Sequence, residues 1–217
     1  YDFYPNGHNR NLFAVGAVSP RWPDSRFLNV GLAFMLQEAG IKPSSFRGDA
    51  RHVRRAIQQA KRKPDNPFGL AFDDFTDNQL TDDWNPSIFP NVTMNMHPEG
   101  VLLMRFRPHP TDPERGYHDV FVLSRKLPDG RRPPAYMGVE DNVDVTGNTR
   151  PPRRRTTHAS PEGGEVLEQD IANMVTMQRG MHSRGLNGVV VLSEQERRIQ
   201  QLFAELDLYL KGEKPIR

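Results

Sequence analysis

Three strand-like segments follow one another with almost no chain between them, and that succession restricts the fold more than any other feature of the sequence. In residues 91–97, Val92, Met94 and Met96 fall on one face while Thr93, Asn95 and His97 fall on the other. Glu99-Gly100 reads as a turn. Residues 101–107 are first apolar and then alternate, with Met104 and Phe106 opposed to Arg105 and Arg107, and the turn His109-Pro110-Thr111-Asp112-Pro113 leads into a third strand over 117–124. Parallel neighbours need a crossover of a dozen or so residues, so strands joined this closely form an antiparallel meander.

Helical signals lie on both sides of the meander. Residues 11–19 read as a strand buried on both faces, Phe13, Val15 and Ala17 alternating with Leu12, Ala14 and Val18. From Ser25 as N-cap, Leu28, Leu32, Met35, Leu36 and Ala39 keep helical spacing until Gly40 closes the segment. A second helix is expected over 49–63, with Val53, Ile57 and Ala60 on one side and Arg51, Arg54, Arg55, Lys61, Arg62 and Lys63 on the others. Ser193-Glu194-Gln195-Glu196 is a capping box that opens a helix carrying Ile199, Leu202, Phe203, Leu206 and Leu210, ended around Gly212 and Pro215. The class is therefore α+β, an antiparallel sheet packed on C-terminal helices, with the whole chain, 1–217, as one domain.

Residues 127–164 interrupt this order with Arg131-Arg132-Pro133-Pro134 and Arg150-Pro151-Pro152-Arg153-Arg154-Arg155. So polar a span is expected to share little in any core and to be among the most mobile parts of the chain, available as a lid.

The absence of cysteine among the 217 residues removes several chemistries at once: disulfides, a thiolate nucleophile, Cys-ligated zinc and iron–sulfur clusters held by this chain. A net charge of +2 implies no nucleic acid, because a binding footprint needs basic groups concentrated on one face, and the arginines of 150–155 lack interleaved aromatics. No stretch approaches the 18 apolar residues of a membrane span, so a soluble, cytoplasmic protein is expected.

Leu167, Asp170, Met174, Met177 and Met181 share one face of a helix over 165–181, and Asp170 is the one carboxylate on that apolar stripe. A buried carboxylate calls for an arginine, a helix N-terminus or a metal ion. The ordinary alternative is a solvated acidic residue in the first turns, favoured by the helix dipole.

Leu80-Thr81-Asp82-Asp83-Trp84, Ile88-Phe89-Pro90-Asn91-Val92-Thr93 and Arg105-Phe106-Arg107-Pro108-His109-Pro110-Thr111-Asp112-Pro113 strongly resemble the catalytic domain of the α subunits of Rieske non-heme iron aromatic-ring-hydroxylating oxygenases. Glu168-Gln169-Asp170-Ile171-Ala172-Asn173-Met174 and Gln178-Arg179-Gly180-Met181 resemble that family's C-terminal segment, and the motifs run in order from about Asn6 to Leu210. The resemblance implies a helix-grip (START-like) fold, a curved antiparallel sheet wrapped around C-terminal helices. It also implies a mononuclear Fe(II) held by two histidines and one aspartate, with positions open for dioxygen. The aspartate falls on Asp170. No two of this chain's seven histidines have the spacing of the family's His pair, and the Rieske motif is missing, so the two His ligands and the 2Fe-2S Rieske cluster are expected upstream of Tyr1 and this polypeptide alone is expected to be inactive.

The family's cavity lies between the sheet and the ligand helix, which suggests Asn85, Ile88, Met94, Met96 and Val166 as substrate-binding residues; each could equally be core. His8, in an element resembling one that follows the ligand histidines, is given no metal role, and His97 and His109 are read as solvated or strand-pairing residues at turns. The expected partners are a small apolar aromatic substrate, dioxygen, a reductase with or without a ferredoxin, and further copies of the chain in a homo-oligomer (trimer), with or without a β subunit. The competing function is a non-catalytic hydrophobic-ligand or lipid binding module of the same architecture, which has no use for a carboxylate at Asp170.

Overall fold

The computed structural model describes residues 1–15, 30–128, 130–147, 149–160, 165–186, 188 and 190–215. Its elements are β1 (Asp2–Phe3), β2 (Asn9–Phe13), α1 (Val30–Glu38), α2 (Ala50–Lys61), α3 (Asp77–Thr81), β3 (Asp83–Ile88), β4 (Val92–His97), β5 (Gly100–Pro108), β6 (Gly116–Ser124), α4 (Glu165–Met181) and α5 (Arg197–Leu210), with single 3₁₀ turns between several of them. The six strands form one sheet in sequential order, each antiparallel to its neighbour. This is the expected α+β class. The strand expected over 11–19 is β2, which starts earlier, at Asn9, and ends at Phe13, while residues 16–19, Ser25 and Leu28 lie outside the described residues.

Register assigns every side chain of the meander to one of two faces. Asn85 and Asn11 are paired, as are Ser87 and Thr93, Thr93 and Met104, Met104 and Val120, and Phe106 and His118. Because side chains alternate with period two, Asn9, Asn11, Asp83, Asn85, Ser87, Thr93, Asn95, His97, Leu102, Met104, Phe106, His118, Val120 and Val122 share one face, the inner face. The β3–β4 ladder runs from Trp84–Met96 to Ile88–Val92 and passes over Pro86, which has no N–H to give.

Beside one end of the sheet stands a helical unit. Leu32, Leu36 and Ala39 of α1 pack on Ala50, Val53, Ile57 and Ala60 of α2, and Phe68, Leu70, Phe72 and Leu80 form a second cluster. Asp49 caps α2 by accepting from the Arg51 and His52 amides. Gly40 takes φ +75° just past α1, where the Ile41 amide reaches back to the Leu36 carbonyl, a left-handed stop that suits glycine. Lys61, expected on an outer charged face of α2, is instead buried. Its Nζ lies 2.6 Å from Glu99 Oε1, donates to the Leu80 carbonyl at 2.7 Å and sits over the rings of Phe68 and Phe72.

The expectation that 127–164 shares little in any core meets an exception over 131–140. Pro134 and Met137 are buried, Arg131 donates to the Pro67 carbonyl, and the Tyr136 hydroxyl donates to Glu99 Oε2 at 2.7 Å. Glu99 is fully buried and takes its second partner from this span, which is why the span docks where its own composition would not place it. Residues 149–160 are exposed throughout.

Candidate active site

The inner face has a polar half and an apolar half. On β2, β3 and β4 the polar half is held by Arg198 of α5, whose guanidinium donates to Asn9 Oδ1 and Asn85 Oδ1 at 2.6 Å each, to the Asn85 carbonyl at 3.2 Å, and to Ser87. Asn85 in turn donates to Asn95 across the strand pair. A rigid planar fork is what lets one side chain hold two strands at once. At the end of this half, Asp83 Oδ1 lies 3.5 Å from His97 Nε2. Burial pushes the Asp83 carboxyl up to about 6 against the pull of Arg198, and burial pushes the His97 imidazole down to about 4. His97 is therefore a half-buried neutral imidazole packed on Tyr136, with ring centroids 5.0 Å apart, and of its two readings the strand-pairing one holds, through its register with Gly100. His8, also away from any metal role, accepts from the Phe89 amide through Nδ1 at 3.0 Å.

Leu102, Met104, Phe106, Val120 and Val122 make the apolar half, on β5 and β6. Within it stands His118, stacked on Phe106 with ring centroids 4.7 Å apart and planes 4° from parallel. Both His118 ring nitrogens are buried and make no hydrogen bond. Burial lowers the pKa of this imidazole against the charges of Asp119 and Asp170, which raise it.

Helix α4 runs beside the β5–β6 hairpin, where Gln178 and His182 reach Glu114 at 3.1 and 2.8 Å. The helix is rolled relative to the face expected from its sequence. Leu167 is buried and Ile171 and Val175 are half-buried, so the contact stripe is 167, 171, 175, 178 and 182, whereas Met177 and Met181 are 67% and 64% exposed. Asp170 lies on α4 as expected, but at the exposed margin of the contact stripe rather than pointing into an enclosed interior. One residue along a helix is a rotation of about 100°, enough to exchange a face for its margin.

Of the five pocket residues chosen from the sequence, the four whose side chains are described do not come together. Asn85 is on the inner face under Arg198, whereas Ile88, Met94 and Met96 are on the opposite face, where Arg10 lies over the Trp84 ring. The side chain of Val166 lies outside the described residues. The correction follows from period two alone: Asn85 pairs across the sheet with Asn95, so Met94 and Met96 must face away. The same arithmetic finds what sequence reasoning missed, because Met104 pairs with Thr93 and Phe106 with His118.

Among the described residues there is no group of three His, Cys, Asp or Glu side chains that could hold a metal ion, and no helix is long and apolar enough to cross a membrane. No curated protein and no solved structure matches the chain. Residues 33–212 match the family model described as the ring hydroxylating alpha subunit, catalytic domain. That match spans the helical unit, β3 to β6 and both C-terminal helices, and with it the chain belongs to the family of ring-hydroxylating alpha subunits, as part of their catalytic domain.

Proposed function

We propose that this chain is the part of a Rieske-type oxygenase catalytic domain that supplies one carboxylate, Asp170, to a mononuclear Fe(II) and one wall, the inner face of the sheet, to the substrate. The observation that carries this reading is the place of Asp170 in a chain of this family: a carboxylate on α4, the helix that Gln178 and His182 tie to the β5–β6 hairpin through Glu114. The donor set fits the metal in part. A carboxylate oxygen suits a facial triad, and the remaining two ligands are histidines expected upstream of Tyr1, as is the 2Fe-2S cluster through which a reductase, with or without a ferredoxin, delivers electrons. When bound, the iron supplies the dioxygen chemistry.

The rest of the work is done by side chains of this chain. Leu102, Met104, Phe106, Val120 and Val122 offer a planar substrate an apolar surface, and Asn85 and Asn95, fixed by Arg198, bound it on the polar side. Further copies of the chain, as a trimer with or without a β subunit, complete the proposed assembly.

The test is Asp170→Ala in the complete subunit. Iron retention and hydroxylation should both be lost with the thermal unfolding transition unchanged. Full iron content in the variant would return Asp170 to an ordinary solvated helix residue and favour a hydrophobic-ligand carrier.

A further inference from the structure

The sheet lacks a core of its own. Among the described residues none of the apolar side chains of β3 to β6 is buried, and the two buried apolar clusters both lie in the helical unit. An antiparallel sheet ordinarily covers at least one face. The inner face has α5 on it through Arg198. On the opposite, outer face, register lines up two full rows across five strands. Leu12, Trp84, Met96, Val101 and Leu123 make one, and Arg10, Pro86, Met94, Leu103 and Phe121 make the next, with Ile88 and Val92 beyond. Leu12, Ile88, Met96 and Leu123 stand on four different strands and are 39 to 53% exposed, so the apolar surface is open from edge to edge.

The charges of this face lie around the apolar rows and pair within the sheet. Arg10 holds Asp2 at 2.6 Å, and Arg105 and Arg107 hold Asp119 at 2.9 and 2.7 Å. An apolar centre with a charged rim is the anatomy of a protein interface. Five strands about 4.8 Å apart and three same-face rows about 6.8 Å apart cover about 500 Å² in plan. With the rim and the relief of the side chains, that approaches the ~800 Å² each partner gives to a stable interface.

We infer that this outer face packs, sheet on sheet, against the outer face of a second copy about a two-fold axis along β4. The face is its own complement under that operation. Met94 and Met96, pliant side chains, lie at the axis. Trp84 comes over Val101 of the partner subunit and Pro86 over Leu103 of the partner subunit, so that larger and smaller side chains interlock, and Leu12 comes over Leu123 of the partner subunit. Arg10 comes over Phe121 of the partner subunit, one row from the partner subunit's Asp119, so neither charged cluster meets its own like. The contact is additional to the three-fold contacts of the proposed trimer and depends neither on Asp170 nor on iron.

The experiment uses the complete subunit carrying Met96→Cys. Residues 1–217 hold no cysteine, so wild type reports the background. Packed sheets stand about 10 Å apart, beyond the span of a disulfide, and the probe is therefore a short bis-maleimide. Met96→Cys should yield a cross-linked dimer on denaturing electrophoresis, whereas Asn95→Cys, one position along and on the inner face, should not. Leu103→Glu sets a carboxylate among the apolar rows and should halve the mass seen in sedimentation with the far-UV spectrum unchanged. Should Leu103→Glu fail to fold, the two cysteine variants decide alone. A Met96→Cys subunit that does not cross-link overturns the proposal: fast labelling by a monofunctional maleimide shows a face open to water, and slow labelling shows one covered by another segment of the same chain. Equal cross-linking from Asn95→Cys, or an unchanged mass in folded Leu103→Glu, overturns it as well.

Discussion

Phe106 and His118 face each other across the β5–β6 ladder with their rings 4.7 Å apart and nearly parallel. Phe106 is 37% exposed, so its value lies in the stack as well as in burial. Phe106→Leu keeps most of the apolar area and loses the ring pair, and should lower stability by about 1 kcal/mol, whereas Phe106→Ala should cost about 2 kcal/mol. Urea unfolding of the two variants beside wild type measures both, and equal losses would show that area alone matters.

Asp83 and His97 give the protein opposing responses to pH. The carboxyl, raised from 3.8 to about 6, binds more protons folded than unfolded in that interval, so its contribution to stability is lost as pH rises through it. The imidazole, lowered from 6.5 to about 4, binds fewer protons folded, so its contribution is lost as pH falls. The two nearly cancel in wild type. Asp83→Asn should unmask a stability that climbs from pH 4 to 6.5, and His97→Gln one that declines from pH 4 to 6. Each change is on the order of 2 kcal/mol after allowance for partial solvent exposure. Unfolding curves of both variants across that range should slope in opposite directions; parallel slopes would refute the assignment.

Arg198 ties α5 to β2 and β3 with one guanidinium. Arg198→Ala strands the Asn9 and Asn85 acceptors and should destabilise by about 2 to 4 kcal/mol. Arg198→Lys should recover less than half of that, because an ammonium cannot span the same acceptors. Thermal unfolding of the pair checks the ratio.

The Lys61–Glu99 pair should behave as buried charges do. Lys61→Met leaves the Glu99 carboxylate in the interior with Tyr136 as its remaining partner and should cost about 3 to 5 kcal/mol. Lys61→Met combined with Glu99→Leu should be closer to wild type than Lys61→Met alone. A double variant worse than both singles would show that the charges are required for docking the Tyr136 span.

Much of the meander can be read from the sequence, because β4, β5 and β6 carry a period-two pattern that survives without knowledge of partners. β3 escaped notice although Asp83, Asn85 and Ser87 alternate with Trp84, Pro86 and Ile88; a proline and three short polar residues look like loop until Arg198, more than a hundred positions away, supplies their partners. Helix α4 is legible in the sequence, with Asp170 on it, but its roll is not, since Met174 and Ile171 are equally good candidates for a contact face. The buried Lys61 was invisible for a related reason. Its acceptor comes from the β4–β5 turn, and a charge run on α2 gives no hint of which member turns inward.

Glu99 occupies that turn, pinned from two sides by Lys61 and Tyr136, and the neighbouring Gly100 has no room for a side chain: a Cβ there would lie 2.4 Å from the Leu123 carbonyl oxygen and 2.7 Å from Met137 Cε. The hairpin is thus indexed like a toothed wheel on a pawl. Sliding β4 by a single position would bring Met94 and Met96 inward and send Asn95 out, and the pawl forbids it. The inner face of this sheet can accordingly be altered one side chain at a time by substitution, while insertions or deletions in β4 or β5 are closed to it.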